Sequence, residues 1–128
     1  MGKQFSSIEP AHREFIERQH IFFNASAASV GRVNVSPRDG ASLRILDANT
    51  VVYLDLTGSG NETAAHLLAD GRLPLMFCAF EGSPMIMRLY GHGRVLPRHS
   101  PEYDALLASH YSNVEPPGAR QIILLAVD

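Results

Sequence analysis

The sequence holds one cysteine among 128 residues, so no disulfide can form within it. Cys78 lies in the apolar run Leu75-Met76-Phe77-Cys78-Ala79-Phe80, which predicts a small buried hydrophobe rather than a nucleophile. No apolar run reaches the roughly 18 residues that a membrane-spanning helix needs. The start, Met1-Gly2-Lys3-Gln4-Phe5, leads into polar residues and offers no apolar signal core. These absences predict a reducing, cytoplasmic setting and no membrane partner. Positive charge is also short. Lys and Arg number 11 against 13 acids, for a net charge of −2, which argues against a nucleic-acid partner.

Chemical motifs are missing too. The six histidines (His12, His20, His66, His92, His99 and His110) show no metal-ligand spacing, and with one cysteine a zinc site is not expected. There is no Gly-x-Ser-x-Gly elbow, and hydrolytic triads or paired catalytic carboxylates have no local support. Thus no motif names a catalytic residue.

What is present is a globular composition, 45% apolar and 19% charged. At this length, one domain over residues 1–128 buries about two-thirds of its unfolded surface. A helix is predicted over 8–20, with Ser7 as cap and Phe15 and Ile16 on its apolar side. A strand over 21–27 and a turn at Gly31 follow. Arg32-Val33-Asn34-Val35-Ser36 alternates polar and apolar, the pattern of a half-buried strand, and Pro37 is expected to end its ladder. Leu43–Leu46 reads as a short strand and Thr50–Leu56 as a firm one. A helix over 61–70 ends at Gly71, a C′ glycine. Leu73–Phe80 predicts a central strand buried on both faces. Met85–Leu96 predicts one bent strand, with a bulge or a sharp barrel corner at Gly91 and Gly93. Ser100-Pro101-Glu102 starts a helix running to about Tyr111, and Gln121–Val127 is the last strand. Short turns and marginal helices favour a mainly β protein, a small barrel of about six mostly antiparallel strands, over a doubly wound sheet.

The stretch Thr57-Gly58-Ser59-Gly60-Asn61-Glu62-Thr63 joins a strand to a helix. It lacks the Gly-Lys-Ser/Thr ending of a Walker loop and fails the dinucleotide fingerprint at Thr63. It reads either as a plain capped connection or as an anion cradle. Its hydroxyl and amide groups and the helix N–H donors favour the cradle. A phosphate there needs a cation from elsewhere, and Arg38 and Arg88 are the candidates. Asn34-x-Ser36-x-Arg38 shares one strand face. It reads either as a cleft lining or as the solvent face of an edge strand.

Several segments carry a resemblance to a known family. They are Glu14–Phe23, Gly31-Arg32-Val33-Asn34-Val35-Ser36-Pro37-Arg38, Leu54–Leu67, Leu75-Met76-Phe77-Cys78-Ala79-Phe80-Glu81-Gly82 and Arg88-Leu89-Tyr90-Gly91-His92-Gly93-Arg94-Val95. In this order and spacing, the sequence resembles the pyridoxamine 5′-phosphate oxidase-like FMN-binding split-barrel proteins, above all their small bacterial branch. The resemblance implies a split β-barrel homodimer with FMN at the subunit interface. It implies that the strand bearing Asn34, Val35, Ser36 and Arg38 runs beside the flavin, with Arg38 as phosphate ligand. Leu56 and Thr57, followed by Gly58 and Ser59, would lie against the flavin. Asn61, Glu62 and Thr63 would open the phosphate-binding helix.

Two departures are visible. The family's oxidases carry Ser-Arg-Lys at that helix start, where this sequence has Asn61-Glu62-Thr63. The family's substrate-binding Arg-x-His segment near the C-terminus has no counterpart, so pyridoxamine phosphate is not the expected substrate. The expectation is an FMN-dependent oxidoreductase of unknown small-molecule substrate, with NAD(P)H a candidate donor. The alternatives are a non-catalytic flavin- or ligand-binding barrel for storage or sensing, or a member that has lost the cofactor.

Overall fold

The computed structural model describes residues 2–56 and 61–128, leaving aside the side chains of Asn61, Glu62 and Ala69. Helix α1 (Pro10–Arg18) precedes strands β1 (Ile21–Ser26), β2 (Asn34–Asp39), β3 (Leu43–Asp47) and β4 (Thr50–Leu56). Helix α2 (Asn61–Ala69) leads to β5 (Leu75–Cys78), β6 (Ile86–Leu89) and β7 (Gly91–Pro97). Helix α3 (Pro101–His110) and β8 (Ala119–Val127) complete the chain. Two four-stranded antiparallel sheets form, one in the order β2-β1-β5-β6 and the other β3-β4-β8-β7. The described residues make a mainly β split barrel with three α-helices.

The helix boundaries follow local chemistry. Ser100 Oγ accepts from the Tyr103 N–H at 3.3 Å, and Pro101 fills the first position of α3. Gly71 follows α2 with φ +87°, as a C′ glycine does. At α1 the cap is Glu9 rather than Ser7. The Glu9 backbone N–H donates to His12 Nδ1 at 3.1 Å, a reciprocal box closed by a histidine.

Three predicted elements are corrected. Pro37 does not end β2: it pairs opposite Phe23, and the strand continues to Asp39. Because β2 is an edge strand, the missing N–H costs no ladder bond to a neighbour beyond it. Residues 73–80 are not buried on both faces. Leu75 and Phe77 point inward, whereas Met76 and Cys78 are half-buried on the outer face, so Cys78 is not a core residue. Residues 85–96 are not one strand. The chain leaves the first sheet after Leu89 and enters the second at Gly91. A Cβ on Gly91 would fall on the Ala126 carbonyl oxygen, so only glycine makes this corner.

The main core lies between the sheets. Phe22 stacks on Phe77 at 5.6 Å between ring centroids and meets Tyr53 edge-on at 5.3 Å. Phe15 and Ile16 of α1 join it with Val51, Leu75, Ile123 and Leu125. A second cluster packs α3, through Tyr103 and Leu107, on Val52, Leu54, Leu96 and Ile122. The second sheet is thereby covered on both faces. The outer face of the first is not: Val33, Val35 and Ile86 are 69%, 64% and 61% exposed.

Candidate functional site

The alternation in β2 is as expected, but its faces are reversed from those of an ordinary edge strand. Val33 and Val35 point outward, while Asn34, Ser36 and Arg38 turn toward the interior. The register explains this. Ser36 stands opposite Asn24, and Asn34 opposite Ser26, so these side chains share a face with Phe22 and the core. Of the two readings of Asn34-x-Ser36-x-Arg38, the solvent-face reading is therefore excluded.

Inside, these groups meet the first turn of α2. Thr63 Oγ1 accepts from Asn24 Nδ2 at 2.9 Å and from Asn34 Nδ2 at 3.0 Å. Asn24 Nδ2 also donates to Tyr53 Oη at 3.0 Å. Ser36 Oγ donates to Asn34 Oδ1 at 3.2 Å. Ser26 Oγ and His66 Nδ1 are hydrogen-bonded at 2.9 Å. Asn24, Ser26, Ser36 and Thr63 are all buried. A buried polar network of this kind is tolerated only where its members satisfy one another.

Charge gathers at the same end. Arg38 Nη1 lies 3.0 Å from Asp55 Oδ1, and Arg38 Nε donates to Asn24 Oδ1 at 3.4 Å. Asp55 Oδ2 accepts from Arg120 Nη2 at 3.1 Å and from Gln121 Nε2 at 2.7 Å. The Arg38 guanidinium also sits 5.9 Å from the centroid of the Tyr53 ring. Burial holds the Tyr53 hydroxyl well above the usual phenol range; the Arg38 charge pulls the other way and is outweighed.

The predicted site residues thus divide. Asn34, Ser36, Arg38 and Thr63 come together. Val35 lies on the outer face, and Leu56, 41% exposed, ends β4, where its carbonyl accepts from Arg120 Nη2 at 3.2 Å. Thr57, Gly58, Ser59 and Gly60 lie outside the described residues. Asn61 and Glu62 form the start of α2, but their side chains are likewise outside the description. Arg88 is apart from the cluster. It faces outward on β6, three strands from β2, and lines a separate cleft of about 690 Å³ with Lys3, Phe5, His12 and Met87. Sequence reasoning missed Asn24, Tyr53, Asp55, His66 and Arg120. A lone acid in the apolar run Val51–Leu56 was the available signal, because a buried carboxylate requires a cation.

This donor set fits an anion. Arg38 Nη2 and Arg120 Nε are buried and have no hydrogen-bond partner among the described residues; Asp55 Oδ1 is buried there too and meets Arg38 Nη1 only as an ion pair. A buried N–H left unmatched costs about 1–3 kcal/mol, and more when charged. Among the described residues no group of three His, Cys, Asp or Glu side chains is placed to hold a metal. No helix among them is long and apolar enough to cross a membrane.

Comparison with known proteins extends this picture. Three solved structures share the fold at low identity. HupZ of Group A Streptococcus matches with TM-score 0.75 and 19% identity, covering 94% of this chain and 90% of that one. HutZ of Vibrio cholerae, described as a heme storage protein, matches with TM-score 0.67 and 13% identity over 94% and 90%. An FMN-binding protein of Syntrophomonas wolfei matches with TM-score 0.58 and 16% identity over 90% and 80%. The fold thus occurs both in flavin-binding proteins and in a heme-storage protein. At closer range, the pyridoxamine 5′-phosphate oxidase family protein ustO of Aspergillus flavus is 38% identical over 126 residues, covering 96% of this chain. That match spans 50% of ustO, so the chain covers about half the length of this curated relative. A profile described as Pyridoxamine 5′-phosphate oxidase matches residues 8–128. With nearly the whole chain inside that profile, and the split barrel and inward-turned polar strand on which the resemblance rested now in view, the chain belongs to the pyridoxamine 5′-phosphate oxidase family.

Proposed function

We propose that this chain binds FMN and acts as a cytoplasmic, flavin-dependent oxidoreductase on a small molecule. The observation that carries the reading is Arg38. It is held at the interior end of β2 against Asp55, and one of its N–H donors is unmatched among the described residues. Half-buried Asn34 lies on the same inner side, and buried Ser36 and Thr63 bond to it and fix the strand against α2. Such a set suits the phosphate and ribityl portions of FMN, with the first-turn N–H groups of α2 as further donors. A bound flavin would supply the two-electron chemistry, and the protein would supply placement and electrostatics.

The uncovered outer face of the first sheet supports a homodimer. Val33 and Val35 at the β2 edge and Ile86 on β6 at the opposite edge leave apolar side chains exposed on the sheet whose inner face carries the polar cluster.

A non-catalytic flavin- or ligand-binding barrel is the second reading, and one observation favours it. The titratable groups of the cluster are already engaged: Asp55 by two arginines, His66 by Ser26. None stands free as a general acid or base among the described residues. Spectroscopy separates the readings. The purified chain is expected to show flavin absorption, or to gain thermal stability with added FMN. Anaerobic bleaching by NADH or NADPH supports the oxidoreductase. A flavin that neither donor reduces supports the binding protein. A colourless chain indifferent to FMN rejects the flavin-dependent oxidoreductase.

A further inference from the structure

We propose that Arg120 is the second cation of a phosphate-monoester site, acting beside Arg38 across the shared carboxylate of Asp55. The identity of the ester as FMN rests on the reading above; the charge argument does not. Asp55 is 1% exposed, and the side chains of Arg38 and Arg120 are 13% and 24% exposed. Two guanidinium groups therefore share one buried carboxylate, and one positive charge is left over among the described residues. Burying an unbalanced charge is costly unless a counter-ion is supplied. Gln121 adds a donor to Asp55 Oδ2 but no charge. The two unmatched donors, Arg38 Nη2 and Arg120 Nε, come one from each guanidinium. Guanidinium N–H groups are the donors that proteins most often turn to phosphate.

The backbone supports the assignment. Along β8, Gln121 pairs with Asp55, but Leu56 pairs with Ala119, so Arg120 is the extra residue of a bulge. In a regular strand Arg120 and Gln121 would point to opposite faces. Here both side chains reach Asp55 Oδ2. Bulges re-aim side chains in this way beside functional sites. The Leu56 carbonyl holds the same Arg120 Nη2 at 3.2 Å, fixing the guanidinium at the end of β4 from which the chain proceeds to α2. Asp55 is then a positioning residue, and the arginines are the anion contacts.

The test titrates the full chain, stripped of any cofactor, with FMN, riboflavin and inorganic phosphate. Wild type is expected to bind FMN more tightly than riboflavin and to melt at a higher temperature in phosphate. Arg120→Gln should weaken FMN binding about tenfold or more, the scale of one charge-assisted hydrogen bond. Its riboflavin affinity should stay within about threefold, since riboflavin lacks the charge. Its melting temperature should no longer respond to phosphate. Equal losses for both flavins, or no loss for either, overturn the role of Arg120 while leaving the flavin reading intact. A wild type that binds neither flavin but responds to phosphate through Arg120 rejects the flavin reading and keeps the anion site. A wild type that ignores phosphate while Glu62→Gln gains a response assigns the missing charge to Glu62 and overturns the proposal. Should Arg120→Gln fail to fold, Arg120→Met decides: it keeps an unbranched stem and removes the charge. A selective loss of FMN affinity supports the site, and unchanged affinity overturns it.

Discussion

The side-chain amide of Asn24 donates to Thr63 Oγ1 at 2.9 Å, tying the inner face of β1 to the first turn of α2. Thr63 also accepts from Asn34, so a single hydroxyl oxygen links two strands to one helix. Thr63→Val keeps the shape and removes the acceptor, leaving one amide N–H of buried Asn24 and one of half-buried Asn34 unmatched. The expected cost is about 2–6 kcal/mol, at the rate of about 1–3 per group. Chemical denaturation measures it. A change below about 0.5 kcal/mol would mean that the network does not hold the helix.

Asp55 carries more than a pairwise contact. Asp55→Asn keeps the volume and leaves Arg38 and Arg120 without their counter-charge. Breaking a buried pair from one side costs about 3–5 kcal/mol. The loss should exceed that of Arg120→Gln, because Asp55 then keeps Arg38 and Gln121 as partners. Parallel urea titrations compare the two variants. The reverse order would contradict the account of Asp55 as the centre of the cluster.

Tyr111 sets an alkaline limit. Burial pushes its hydroxyl up to about 12, while the neighbouring Arg44 charge acts to lower it. Its hydroxyl donates to the Ser42 carbonyl at 2.6 Å. The folded chain therefore keeps this proton at pH values where the unfolded chain, titrating near 10, has lost it. Stability from this group is full below pH 10 and falls as pH rises toward about 12, at about 1.4 kcal/mol per pH unit. Tyr111→Phe should be less stable at neutral pH, because the hydrogen bond is gone, and should show a shallower decline above pH 10. Identical slopes would place the phenol in contact with solvent.

The outer face of the first sheet gives an assembly prediction. Val35 is 64% exposed on it. Val35→Glu should convert a dimer to a monomer in sedimentation velocity, with a stability change of the single subunit within about 0.5 kcal/mol. A dimer that persists would place the interface elsewhere.

Much of this fold was legible from local chemistry. The strand Thr50–Leu56 and the Ser100-Pro101 helix start were visible because propensity, caps and burial agree there. Pro37 misled because its effect depends on whether the strand lies at an edge, which is a property of the sheet. The alternation of β2 showed that two faces exist but not which turns inward; Asn24, ten residues earlier, and Thr63 in α2 decide that. Arg88 was attractive as a cation, yet strand order carries it to the far side of the sheet. Arg120 went unnoticed because its role comes from a bulge and from a carboxylate 65 residues away. Contacts of that span leave little trace in a single sequence.

In the proposed function, the polar face of β2 holds the phosphate of a flavin through Arg38. Fluorescence titration of wild type and Arg38→Ala with FMN and riboflavin tests it most directly. Wild type is expected to prefer FMN, and Arg38→Ala to lose about tenfold or more of its FMN affinity while riboflavin binding changes little. FMN affinity unchanged in Arg38→Ala would contradict it.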